Sequence, residues 1–179
     1  MTFKKSKIAL LLPLLFLSFY TAPAFAQGVV FSEENYGDDA EMIDRMSHSD
    51  ADYAMTTREG SVDFMIARQS IVIQFSDSFM AHLEEELDAE TGREPDDSHF
   101  ATVIKSMVSS GVRTMLDRAI AVPLSEISEI YVEDGRLIIK NLDGDEIFGE
   151  MEVNDRKVME DFSRRDARRF VAEAEKQMP

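Results

Sequence analysis

Four arginines, Arg164, Arg165, Arg168 and Arg169, sit at helical spacing in a 179-residue chain whose formal net charge is −16. Residues one helical turn apart share a face, so the four stack as two pairs. Guanidinium forks match planar carboxylates and phosphates, which makes the cluster a candidate grip on an anion or an anionic partner. A local neutralisation competes with that reading. Glu160 and Asp161 precede Arg164 and Arg165 by one helical turn, and Glu173 follows Arg169 by one. The run Glu84-Glu85-Glu86 offers further counter-charge, and charged rows on a helix commonly form a solvated face.

A second group holds soft-metal chemistry. Met42, Met46, His48 and Met55 fall in one acidic stretch. Thioether and imidazole suit Cu(I) where thiols are scarce, and a flexible arm would let them close around an ion. Asp143-Gly144-Asp145-Glu146 invites a calcium reading and fails it. Counted from Asn141, the position that an EF-hand gives to glycine holds Glu146, and the flanks read as strands. His82 has Glu85 and Glu86 one turn on, but no second His or Cys completes a zinc set.

Catalytic motifs are missing: no G-x-S-x-G, H-E-x-x-H, P-loop or dinucleotide glycine fingerprint occurs, and no cofactor motif is present. Ser109-Ser110-Gly111 falls in the middle of a predicted helix, where a serine is ordinarily a small packing residue. With 35 acidic residues, a carboxylate pair carries no information.

The elements that must position these groups begin after residue 26. Lys4, Lys5 and Lys7 precede an apolar run from Ile8 to Tyr20, and Ala24-Phe25-Ala26 offers a peptidase site. This is the layout of a secretory signal peptide, of bacterial style, and it predicts a periplasmic or secreted protein. The run is shorter than the roughly 20 residues of a membrane span, and no stable span is expected after cleavage. The signal carries three of the 19 basic residues and none of the acidic ones, so the remainder is more acidic still. Such charge repels nucleic acid and favours a basic partner or ligand, with solubility as the plainer reading. There is no cysteine, so stability rests on an ordinary core.

Residues 27–60 read as an acidic, flexible N-terminal arm, and 61–179 as one α+β domain. Within Ser61–Asp77, folding at Arg68-Gln69 sets Ile66 against Ile71, Phe64 against Ile73 and Val62 against Phe75, which predicts a hairpin. Asp77 is the expected cap of a helix over Ser78–Glu90. After a loop, an apolar stripe predicts a second helix over His99–Ile120, ended by Pro123. Glu133-Asp134-Gly135 and Asp143-Gly144 then mark the turns of a three-strand meander over Ile127–Val132, Arg136–Lys140 and Glu146–Val153. A short helix is expected over Asp155–Phe162. Ser163-x-x-Asp166 resembles a capping box opening the C-terminal helix, with Ala167, Phe170, Val171 and Ala174 inward. A meander closed by an amphipathic helix resembles pleckstrin-homology-type β-domains, without a shared motif.

The expected architecture is an antiparallel sheet, built of the hairpin and the meander, covered by two central helices and a C-terminal helix. The expected function is a non-enzymatic envelope binding or accessory module, acting on an envelope protein or another charged ligand. Copper binding by the arm and a hydrolase without a recognisable motif are the alternatives.

Overall fold

A computed structural model describes residues 40–90 and 116–179. The expected signal peptide, the loop after residue 90, His99, Ser109-Ser110-Gly111 and most of the second predicted helix lie outside those residues.

The described residues are mixed α/β, with a five-stranded antiparallel sheet and two α-helices. Its elements are β1 (Glu41–Asp44), β2 (Tyr53–Thr56), β3 (Val62–Ala67), β4 (Ser70–Phe75), α1 (Asp77–Glu90), β5 (Arg118–Pro123), β6 (Ile127–Glu133), β7 (Arg136–Asn141), β8 (Glu152–Val153), β9 (Arg156–Lys157) and α2 (Arg164–Gln177). The sheet order is β1-β5-β4-β3-β2.

The β3–β4 hairpin has the predicted register: Val62 opposes Phe75, Phe64 opposes Ile73 and Ile66 opposes Ile71. Its two turn residues, Arg68 and Gln69, hold φ of 53° and 61°. A two-residue hairpin turn asks for such left-handed angles, which non-glycine residues adopt at a cost. Three apolar pairs offset that cost, so the pairing selects the turn.

Several expectations are corrected. Residues 40–60 are not a flexible arm: β1 pairs with β5 and β2 with β3, so the sheet supplies the apolar partners that this acidic stretch lacks locally. The second helix does not reach Ile120, because Arg118–Pro123 is strand β5 between β1 and β4. There Ile120 and Val122 join the main core while Ala119 and Ala121 face the other side, and burial on both faces outweighs helix propensity. The meander stops at two strands. Lys140 and Glu146 make one isolated bridge, Phe148 turns the chain at φ 62°, and Glu152–Val153 pairs instead with Arg156–Lys157. Asp155–Phe162 is accordingly no helix beyond a single 3-10 turn at Val158–Glu160. The β6–β7 ribbon also stands apart from the five-stranded sheet.

One sheet face builds the main core with β6, β7, the 3-10 turn and α2. Phe64 is fully buried at its centre, edge-on to Phe148, Phe162 and Phe170 at centroid distances of 6.0, 5.1 and 6.0 Å. The opposite face carries Met65, Ala67, Val72, Ala119 and Ala121, with Ile43, Met46, Ala51 and Ala54 packed on it. α1 joins the main core by stacking Phe79 on Phe75. Its cap is Ser76, not Asp77: the Phe79 amide donates to Ser76 Oγ at 3.1 Å, and Asp77 pairs with Arg45.

Candidate functional site

Polar groups of both charge signs line an open cleft of about 760 Å³. Three pieces of chain form it. The β2–β3 turn brings Arg58. The β6–β7 turn brings Glu133, Asp134 and Gly135, with Arg136 and Ile138 following on β7. The approach to α2 brings Glu160, Phe162, Ser163 and Arg164.

Local chemistry fixes each piece. Asp134 and Gly135 take φ of 49° and 90°, the two left-handed residues that a tight hairpin turn needs. The β2–β3 turn is tied to the 3-10 turn. The Arg58 amide donates to the Asp161 carbonyl at 2.7 Å, Arg58 Nη2 to the Glu160 carbonyl at 3.0 Å, and the Glu59 amide to Asp161 Oδ2 at 3.0 Å. Arg136 Nη2 donates to Glu146 Oε1 and reaches the Gly149 carbonyl at 3.5 Å, while its Nε is buried with no partner. Gly149 leaves room for that pair: a Cβ would sit 2.7 Å from Glu146 Oε1 and 3.0 Å from Arg136 Nη2, so the two side-chain ends would have to shift to admit it.

Ser163 caps α2. Its Oγ accepts from the Asp166 amide at 3.1 Å and donates to Asp166 Oδ2 at 2.6 Å. The Asp carboxylate thus takes the serine hydroxyl proton, where the Glu of a full capping box would reach the backbone N–H. That hydrogen bond, helped by Arg165, holds the Asp166 carboxyl below the usual carboxylate range. A pKa lowered by folding adds stability above the unfolded value, and that stability is lost as pH falls through the folded value. Ser163→Ala is therefore expected to cost about 1 kcal/mol at neutral pH. The cost should shrink on acidification, as thermal melts at neutral and acid pH would show.

The four predicted arginines do not act as one set. Arg164 alone lines the cleft, with its Nε 3.9 Å from where a Gly135 Cβ would stand. Arg165 pairs with Asp166 at 3.2 Å. Arg168 is exposed further along the helix, and Arg169 is exposed on the flank facing Tyr53. The Tyr53 hydroxyl donates to the Asp166 carbonyl at 3.3 Å. Its pKa is raised by burial and by the Asp166 charge, against the pull of Arg169 and Arg165. The neutralising rows expected along the helix do not form. Asp161 turns to Arg58, and Glu173 pairs with Lys176 at 2.6 Å. Among the described residues, Arg164, Arg168 and Arg169 have no ion-pair partner, and neither do the cleft carboxylates Glu133, Asp134 and Glu160.

The four candidate metal ligands are dispersed: Met42 lies on β1, Met55 on β2, and Met46 and His48 in the segment that connects them. Met42 is 39% exposed on β1. Met55 is buried in the main core opposite Phe64, and Met46 packs on the other face of the sheet. His48 turns to a carboxylate instead: its Nε2 lies 3.0 Å from Oδ2 of the buried Asp63. His82 is exposed on α1. Among the described residues no group of three His, Cys, Asp or Glu side chains comes together, and no helix is long and apolar enough to cross a membrane.

Sequence reasoning found Arg164 and the Glu133-Asp134-Gly135 turn but missed Arg58, Arg136 and the His48–Asp63 pair. No local pattern marks these residues, since each meets its neighbours only across the fold. Comparison with known protein families, curated proteins and solved structures finds no match.

Proposed function

We propose that the protein is an exported, non-enzymatic binding module, and that it engages its partner through the cleft between the β6–β7 turn and the start of α2. One observation carries this reading. Arg164, Glu133, Asp134 and Glu160 surround one open cleft, and none of them is neutralised by an ion pair among the described residues. Charged side chains of both signs that a fold leaves unpaired around a concavity are available to a partner, where they set orientation and association rate. The signal-like leader and the absence of catalytic motifs support the rest.

The test is a pull-down from envelope extract with the chain from Gln27 to Pro179 as bait. The expected result is a partner that elutes with salt and is retained less by Arg164→Ala. Arg68→Ala, in the β3–β4 turn, should retain it fully. A partner held equally by all three baits, or no partner at all, would overturn the reading.

A further inference from the structure

The charges around the cleft are mixed, and the mixture says what the occupant must carry. Three arginines line it, but two are already engaged inside the protein: Arg136 by Glu146, and Arg58 by Asp161 at 3.8 Å together with the Glu160 carbonyl. Arg164 is the unengaged cation. Against it stand three carboxylates without ion-pair partners: Glu133 and Asp134 in the β6–β7 turn and Glu160 in the 3-10 turn. A multiply charged anion such as phosphate would gain from Arg164 and from the amino end of α2, and would meet three carboxylates at the same time. A purely basic segment would satisfy the carboxylates and meet Arg164. The floor, Ile138 and Phe162, is nearly closed to solvent at 7% and 1% exposure. Apolar burial therefore contributes little, and charge pattern must supply the specificity.

Resting on the reading of this cleft as the binding site, we infer that its ligand is a mixed-charge peptide segment of a partner protein. The segment places an acidic side chain on Arg164 and a basic side chain among Glu133, Asp134 and Glu160. Discrimination here works by rejection as much as by attraction, because a segment of either single sign leaves a like charge facing it.

The experiment is fluorescence anisotropy at physiological salt with a labelled peptide of alternating glutamate and lysine. A glutamate-only and a lysine-only peptide of the same length serve as comparisons. Three proteins are compared: the unaltered chain, Arg164→Ala, and the double variant Glu133→Gln with Glu160→Gln. All the altered side chains are exposed, so folding is expected to be retained, and circular dichroism checks it. For the mixed peptide, each variant should weaken binding by roughly threefold, the scale of exposed charge pairs. Lysine-only binding should fall in the double variant and rise in Arg164→Ala, while glutamate-only binding should do the reverse.

Mixed-peptide binding that ignores Arg164→Ala would mean the cleft reads cations alone. Binding that ignores the double variant would mean it reads anions alone. Either result overturns this inference while leaving the cleft as the binding site. Binding insensitive to both variants, or no binding, removes the inference, and the pull-down with Arg164→Ala then decides separately whether the cleft is a site at all.

Discussion

Phe64→Ala is expected to lower the unfolding free energy by about 3–5 kcal/mol, the largest effect of any single substitution considered. Phe64 sits at the middle of β3 with no solvent exposure. It touches Phe148 from the β8 approach, Phe162 from the segment before α2, and Phe170 from α2 itself. Its removal opens a cavity where three edge-to-face contacts meet, each worth on the order of 1 kcal/mol beyond area burial. The substitution thus loosens the sheet from the helix and from the chain reversal at once. Urea unfolding should show a lowered midpoint with little change in slope. A loss below about 1 kcal/mol would mean that the neighbouring rings collapse into the space, and that the sheet and α2 are held together elsewhere. Because the cleft lies between the β6–β7 turn and the start of α2, the same variant should also weaken partner retention.

His48→Ala is expected to cost about 1–3 kcal/mol, toward the lower end because the imidazole is half exposed. The reason lies in Asp63, a carboxylate whose side chain is only 4% exposed in the middle of a sheet face. Its Oδ1 accepts from Thr56 Oγ1 at 2.6 Å, and its Oδ2 faces His48 Nε2 at 3.0 Å. Without the imidazole, one oxygen of a buried carboxylate has no donor, and the penalty is the desolvation of that group rather than the worth of the contact. The segment between β1 and β2 should stay in place. The Gln74 side chain grips it separately, accepting from the Met46 amide and donating to the Met46 carbonyl, both at 3.0 Å. A double-mutant cycle with Asp63→Ala is the deciding measurement. The double variant should lose clearly less than the sum of the singles, since removing Asp63 also removes the orphaned oxygen. Strict additivity would show that the two side chains are not coupled.

Much of the cleft was legible one piece at a time. Asp134-Gly135 announced a turn, Ser163-x-x-Asp166 announced a helix start, and Arg164 stood in a visible basic cluster. That these pieces face one another, and that Arg58 and Arg136 join them, was not legible. Arg58 meets Glu160 and Asp161 across about a hundred intervening residues. The soft-metal grouping failed for the same reason in reverse. Met46 and Met55 are near in sequence, but Met55 turns from β2 into the main core, while Met46, in the segment after β1, packs on the other face of the sheet.

The amino-acid sequence by itself determined whatever depends on local period and turn chemistry. The β3–β4 register follows from the alternation of Val62, Phe64 and Ile66 against Ile71, Ile73 and Phe75. The β6–β7 hairpin follows from Asp134-Gly135, and α2 from its cap and its inward row of Ala167, Phe170 and Ala174. Tertiary structure alone decided which segments complete the sheet. Glu41–Asp44, Tyr53–Thr56 and Arg118–Pro123 carry weak or contrary local signals, and they become strands because β3 offers an edge to β2, β4 offers one to β5, and β5 in turn offers its far edge to β1. Hydrogen bonds and burial supplied by distant residues exceed the fraction of a kcal/mol per residue by which intrinsic propensity prefers another conformation, and no local window of sequence contains those partners.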